Sequence, residues 1–166
     1  KEVLAEPWER LIEIGPGTGR NLDKLHRSRP QAQYGGVEAS DVMLEHARRQ
    51  CPWAVLHHGF AEDADIRGLL GAPPDRILFS YCLSMVEDPF GALAHARRSL
   101  APNGQVIVVD FADLDGLRGP LRGPFKKFLD SFHVHPLDTK VVAQAETVRF
   151  GPLRYYLIAR FGPLSP

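Results

Sequence analysis

The stretch Leu11-Ile12-Glu13-Ile14-Gly15-Pro16-Gly17-Thr18-Gly19-Arg20 decides how this chain folds. A short apolar run stops at three alternate glycines, and from Asn21 to Arg29 Leu22 and Leu25 recur at helical spacing. Such an order reads as strand, tight turn and helix, because glycine alone enters left-handed backbone regions without steric cost. Working outward, Tyr34 to Glu38 reads as a second strand, and Ser40 can cap a helix that carries Met43, Leu44 and Ala47 on one side and ends at Cys51-Pro52. Ala54 to His57 makes a third strand, and Arg76 to Ser80 a fourth that is apolar enough to be buried on both faces. Asp88-Pro89 starts a helix with a capping carboxylate and a proline in the first turn, with Leu93, Ala96 and Leu100 as its buried stripe. Gln105 to Asp110, β-branched and unbroken, follows the turn at Pro102-Asn103-Gly104. Strands alternating with helices predict an α/β fold, a Rossmann-like doubly wound and mostly parallel sheet. Later in the chain a helix is expected from near Pro124 to Phe132, and Thr147 to Phe150 with Tyr155 to Phe161, joined at Gly151-Pro152, reads as a C-terminal antiparallel hairpin.

At 166 residues the chain is expected to form one domain, spanning residues 1–166. Its 44% hydrophobic and 24% charged content is that of a folding, globular sequence. Twenty basic and twenty acidic side chains cancel, which counts against nucleic acid as a partner. No apolar run approaches the ~18–20 residues of a membrane span, and Lys1 to Arg10 lacks a signal-peptide core, so a cytoplasmic location is expected. The two cysteines, Cys51 and Cys82, have no C-x-x-C spacing and read as reduced thiols.

In a doubly wound sheet, ligands sit at the carboxyl ends of the strands, so the Gly15, Gly17 and Gly19 turn is where a cofactor would approach the backbone. Glu38 stands nineteen residues past Gly19, at the end of the second strand, where a carboxylate can accept both hydroxyls of an adenosine ribose. The dinucleotide fingerprint G-x-G-x-x-G requires a third glycine where this chain has Arg20, which counts against NAD. The loop also lacks the G-K-[ST] of a P-loop, and no G-x-S-x-G nucleophile elbow occurs. His57-His58 and the pair His133 and His135 have no cysteine or carboxylate completing a ligand spacing, so no metal is expected.

Glu13-Ile14-Gly15-Pro16-Gly17-Thr18-Gly19 closely resembles the first motif of class I S-adenosylmethionine-dependent methyltransferases, an acidic residue two before a G-x-G-x-G loop. The resemblance implies S-adenosylmethionine as cofactor, with S-adenosylhomocysteine as product, and an acidic residue nearby suits a sulfonium that carries no phosphate. It places the ribose on Glu38, the adenine beside Ala39, and the adenine clamp on Gly59-Phe60-Ala61-Glu62-Asp63, with Ala61 and Glu62 as partners of the base edge. Many members have Asp where Phe60 stands, so Phe60 is expected to pack on the ring. Phe79 to Val86, including Ser80, matches the segment between cofactor and acceptor, and Leu100-Ala101-Pro102-Asn103-Gly104-Gln105 matches the turn before the fifth strand.

Within that family, Ser80-Tyr81-Cys82-Leu83-Ser84-Met85, Val109-Asp110-Phe111, Phe132-His133-Val134 and Pro136 are similar to the N-methyltransferases that complete betaine lipids from diacylglyceryl-homoserine. The resemblance implies a lipid-headgroup amine as acceptor, with a soluble small molecule or a non-catalytic binding domain as alternatives. Tyr81, Asp110 and His133 are the candidates to assist loss of the amine proton, and Tyr81, Ser84 and Phe111 to bind the acceptor. Equally open are plainer roles, Asp110 capping the next turn and Tyr81 as a half-buried aromatic at the strand tip. Between Leu117 and Phe132, apolar residues at helical spacing alternate with Arg118, Arg122, Lys126 and Lys127. Such a segment covers the sheet with a solvated basic face or makes a peripheral contact with an anionic membrane. The first strand begins about ten residues into the sequence, so the helices that usually cover the cofactor in the family it resembles are expected to lie outside this stretch, which is then either a compact variant, a fragment or a record of the ordered residues alone.

Overall fold

The structure, a computed structural model, describes residues 6–113, 115 and 136–164. Its strands are β1 (Arg10–Ile14), β2 (Gln33–Glu38), β3 (Val55–His58), β4 (Arg76–Ser80), β5 (Gln105–Phe111), β6 (Thr147–Phe150) and β7 (Tyr156–Phe161). The helices are α1 (Arg20–Ser28), α2 (Asp41–Gln50), α3 (Pro89–Ser99) and a single turn, α4 (Thr139–Val142). The seven strands form one sheet in the order β3-β2-β1-β4-β5-β7-β6. The chain moves outward from β1 to β2 and β3 on one side, then returns to place β4 and β5 on the other. The connections leaving the carboxyl ends of β1 and β4 therefore run to opposite sides at the switch point, where doubly wound sheets open a crevice. The five parallel strands stand as the alternation predicts, and the late hairpin adds antiparallel pairs, Val109 opposite Ile158 and Phe111 opposite Tyr156. β7 lies between β5 and β6, so the end of the chain is laid against the strongest strand rather than at the sheet's edge.

Period-two alternation distributes the core to both faces. Ile12 and Ile14 point to one side with Ile77, Phe79, Val106 and Val108. Leu11, Leu78 and Ile107 point to the other, under Leu22 and Leu25 of α1 and beside Trp8 and Tyr34. The caps form as read: Ser40 Oγ accepts from the Met43 amide at 3.4 Å, and Asp88 Oδ1 from the Gly91 amide at 2.9 Å. One expectation for α2 is corrected. Leu44 and Ala47 are buried, but Met43 is 42% exposed, because it is rotated about 100° from Leu44 on the helix and misses the sheet. Among the described residues, the connection after β5 carries α4, started by Asp138 accepting from the Lys140 amide at 2.7 Å. The helix expected from Pro124 to Phe132 and the basic segment around it lie outside the described residues. No helix among those described is long and apolar enough to cross a membrane.

Gly35-Gly36 in β2 leaves the strand bare where the loop after β1 crosses it. A Cβ on Gly36 would stand 2.8 Å from Leu56 Cδ2 and 3.0 Å from Pro16 Cγ, so β3 and the glycine loop close on this strand only because it has no side chain there. Overpacked sites of this kind lose about 1–3 kcal/mol. Gly36→Val is expected to lower the unfolding free energy by that amount, seen as a lower urea midpoint with an unchanged slope; an unaltered midpoint would show that Pro16 and Leu56 yield freely.

Candidate active site

A cleft of about 800 Å³ opens at the carboxyl ends of β1, β2 and β4. Its floor is the glycine turn, whose three glycines all take positive φ: +65° at Gly15, +55° at Gly17 and +82° at Gly19. Non-glycine residues are strained in that region, so the sequence spaces glycine at each reversal. Two interactions hold the turn against β2. The Gly15 amide donates to the Val37 carbonyl at 2.8 Å, and the Gly17 amide donates to Glu38 Oε2 at 2.9 Å. The other oxygen, Glu38 Oε1, accepts from the Ser40 amide at 3.0 Å. Glu38 thus joins strand, loop and helix start through one buried carboxylate, at the position from which it faces the cleft.

Both cysteines serve the same loop. Cys82 Sγ donates to the Ile14 carbonyl at 3.2 Å, and Cys51 Sγ donates to the Gly19 carbonyl at 3.3 Å. Each sulfur also sits 3.0 Å from where a Cβ would stand, Cys82 beside Gly15 and Cys51 beside Gly19. Burial pushes the Cys51 thiol up to about 11 and raises the Cys82 thiol as well, so both remain protonated donors. At Gly17 the situation is reversed. Nothing lies within 4 Å of its would-be Cβ, which leaves a bare backbone facing open space in the cleft.

The charge of the cleft has one sign. Glu38, Glu62, Asp63 and Glu87 line it, and no lysine, arginine or histidine does among the described residues. Glu13 lies behind the loop, fully buried, with Oε1 accepting from Asn21 Nδ2 at 2.8 Å and Oε2 without a hydrogen-bond partner. Burial, reinforced by the nearby Glu38 charge and opposed by the Asn21 hydrogen bond, pushes the Glu13 carboxyl up to about 7. A cation is what such a site lacks. A pyrophosphate would meet only like charge, which agrees with the missing third glycine.

Gly15, Gly17, Glu38, Ala39, Phe60, Ala61, Glu62 and Tyr81, nominated from the sequence, converge on this cleft. Gly19 caps α1 and Glu13 packs beneath the loop, so both shape the cleft without lining it. Ser80 ends β4, half-buried and outside the lining. Asp110 is fully buried: Oδ2 accepts from the Ser84 amide at 2.9 Å, while Oδ1 accepts from Ser84 Oγ and the Phe111 amide, each at 2.8 Å. The carboxylate nominated as a base is engaged in holding the short turn Leu83–Met85, and Ser84 is engaged with it. Burial nevertheless raises its carboxyl above the usual range, against those hydrogen bonds. Phe111 packs its ring 4.8 Å from that of Tyr81. His133 lies outside the described residues. Met43, Met85 and Glu87 also line the cleft and were not nominated, since one sits on a helix flank and two on an irregular exit.

The methyltransferase-domain family model matches residues 12–106, and the chain belongs to this family, the S-adenosylmethionine-dependent methyltransferases. Among curated relatives, a trans-aconitate 2-methyltransferase from Methylobacterium nodulans is 33% identical over 106 residues, 63% of this chain and 39% of the relative. Among solved structures, S-adenosylmethionine-bound CalS10, an amino pentose methyltransferase from Micromonospora echinaspora, is 27% identical with a TM-score of 0.54, over 61% of this chain and 42% of that one. A methyltransferase from Thermotoga maritima, described as a possible histamine N-methyltransferase, shares the fold at a TM-score of 0.68 and 21% identity, over 96% of this chain and 83% of that one. The chain spans about two fifths of the length of that curated relative and of others it matches.

Two outcomes are expected from this geometry. Gly17→Ala meets no atom, so it costs only left-handed strain, about 1–2 kcal/mol, yet its methyl group enters the cleft and should weaken S-adenosylhomocysteine binding at least tenfold by calorimetry. Gly15→Ala adds the overlap with Cys82 and should lose more stability in urea than Gly17→Ala; equal losses would mean that Cys82 moves aside. The second concerns Glu13. A carboxyl raised from 4.5 to about 7 keeps its proton in the folded chain to higher pH than in the unfolded one, so stability falls as pH rises from about 4.5 to about 7 and is level above that. Glu13→Gln should therefore gain stability relative to the parent between pH 5 and pH 8, by about 3 kcal/mol at most. A parallel pH profile for both proteins would contradict this.

Proposed function

We propose that this protein transfers the methyl group of S-adenosylmethionine to an amine nitrogen, and that the amine is carried by a lipid headgroup of the diacylglyceryl-homoserine type. The observation that carries the amine reading is the one-signed charge of the cleft, four carboxylates and no base among the described lining residues. That environment favours a sulfonium and an ammonium together and disfavours an anionic acceptor. Two features support the lipid. The segments Ser80 to Met85 and Val109 to Phe111 are similar to the betaine-lipid enzymes, and the cleft mouth exposes Met43, Phe60 and Met85 by 42%, 61% and 70%. The basic stretch Leu117 to Phe132 would supply peripheral contact with an anionic surface from the cytoplasmic side.

The residues present fit the cofactor: a bare Gly17 backbone in the cleft, the Glu38 carboxylate for ribose hydroxyls, Ala39 and Phe60 to Glu62 for adenine, and the unpartnered Glu13 oxygen as a counter-charge behind the loop. When bound, S-adenosylmethionine supplies an electrophilic methyl group on a positively charged sulfur. The protein's own part is positioning in a partly dehydrated site. Tyr81 meets the acceptor with a phenol that burial, and then the neighbouring Tyr155, Tyr156 and Asp110, hold above its ordinary pKa; it stays neutral and acts through hydrogen bonds and ring contact. Asp110 keeps the Leu83–Met85 wall in place through Ser84. Only an unprotonated amine attacks, and the surrounding carboxylates favour the ammonium, so the rate should climb about tenfold per pH unit below the acceptor's pKa.

A soluble amine is the second reading, favoured by the similarity to an amino pentose methyltransferase. The test uses the full chain, S-adenosylmethionine labelled on its methyl group, diacylglyceryl-homoserine, and a whole-cell extract, followed by partition between organic and aqueous phases. Protein-dependent label in the organic phase is expected. Label confined to the aqueous phase would transfer the reading to a soluble acceptor, and bound cofactor with no label in either phase would leave a binding domain without turnover.

A further inference from the structure

Beyond the cleft, the carboxyl edge of the sheet carries a run of aromatic rings that cofactor binding does not require. Tyr81, after β4, stands 4.8 Å from Phe111, at the end of β5, with the ring planes tilted by 54°. Phe111 in turn meets Tyr155, just before β7, edge to face at 5.6 Å. These rings are not core. Tyr81 is 36% exposed and lines the cleft, and Tyr155 is 38% exposed, so the run leads outward from the cleft along the sheet edge.

The backbone is strained to hold them there. Among the described residues, the non-glycine positions with positive φ are Tyr81 at +54°, Leu153 at +55° and Arg154 at +53°: one ring of this run and the two residues that lead into another, Tyr155. Left-handed backbone at a side-chain-bearing residue persists only where surrounding contacts over-determine it. Here they do. The Tyr81 amide donates to the Val109 carbonyl at 2.7 Å, and the Ala112 amide donates to the Tyr155 carbonyl at 3.1 Å. Arg154 forks onto Asp113, Nε to Oδ1 at 2.7 Å and Nη2 to Oδ2 at 2.6 Å, and lays its guanidinium 3.7 Å from the Phe150 ring centre. Its charge is answered by Asp113 and its face is taken by Phe150.

We propose that Tyr81, Phe111 and Tyr155 form a cation-recognition wall that receives the ammonium of the acceptor and of its methylated product. The inference rests on the amine-methylation reading and adds the residues that would select for it. Methylation removes N–H donors from an ammonium one at a time, until a hydrogen-bonding site can no longer hold it. An aromatic face attracts the cation at every stage, because its attraction is to the charge and not to a donor. The wall continues from a cleft whose charged lining, among the described residues, is entirely acidic. Tyr155, just before β7, is thereby assigned a specificity role.

The test measures binding rather than turnover, on the full chain saturated with S-adenosylhomocysteine. Choline is compared with its neutral isostere 3,3-dimethylbutan-1-ol, by calorimetry or ligand-observed magnetic resonance. Choline is expected to bind about threefold to tenfold more tightly than the isostere, Tyr155→Leu and Tyr81→Leu to reduce that ratio toward one, and Tyr155→Phe to preserve it. Tyr155→Phe keeps the ring and its packing, so its ratio separates recognition from a folding defect. Equal binding of the two probes, or a ratio unmoved in Tyr155→Leu, would overturn the wall while leaving the methyltransferase reading intact. Failure of S-adenosylhomocysteine itself to bind would remove that reading, and the wall with it.

Discussion

One carboxylate shared between two backbone amides holds the site together. Glu38 accepts from Gly17 on one oxygen and from Ser40 on the other, and so joins the end of β2 to the turn after β1 and to the first residues of α2. Hydrogen bonds to an ionised acceptor are worth about 1.5–3 kcal/mol each, more than a neutral pair. The turn needs that support. Three residues with positive φ in five leave it no regular hydrogen-bond ladder, and its remaining internal tie is the Gly19 amide to the Pro16 carbonyl at 2.9 Å. With the loop fixed from β2, the sheet presents a bare backbone and a carboxylate side by side at its switch point.

Small groups set how closely the layers approach there. Gly36 admits Pro16 from above, while Cys82 and Cys51 close on Gly15 and Gly19 from the sides. A thiol suits those positions because it is compact, tolerates burial and still offers a weak donor to the carbonyl beside it. Serine would have the donor but a stronger demand for hydration, and valine would have the bulk without the donor. The chemistry of the cysteines is thereby spent on shape, consistent with burial raising both thiols.

Most of the fold was legible because its signals are local. The apolar runs of β1, β4 and β5, the glycine turn and the caps at Ser40 and Asp88 each depend on a few adjacent residues, and these elements stand where the pattern places them. Gly15, Gly17 and Glu38 could be nominated together because strand order alone brings the ends of β1 and β2 side by side. What was not legible depends on rotation or on distant pairing. Met43 reads as core until the angle of α2 is known. Asp110 reads as a catalytic base or a cap with equal ease, since only the path of Leu83–Met85 shows its three hydrogen bonds. Tyr155 carries no sequence signal, because its neighbour Phe111 is forty-four residues away and meets it only through the antiparallel register of β5 and β7.

The distribution of charge then limits the chemistry. Over the whole chain acid and base balance at twenty each, so the four carboxylates of the cleft are a local segregation and not a reflection of composition. Two unit charges 4 Å apart at the effective dielectric of a protein surface interact by about 4 kcal/mol, enough to sort cations from anions at the mouth. The same field works against deprotonation of an amine, and the carboxylate nominated as a base, Asp110, is occupied by the turn it supports. On the proposed amine-methylation reading, a site arranged in this way would gather donor and acceptor as cations and accelerate transfer by holding them in line. Its rate then depends on how firmly the wall from Tyr81 to Met85 is held, which is what the buried Asp110 and the strained backbone of Tyr81 provide.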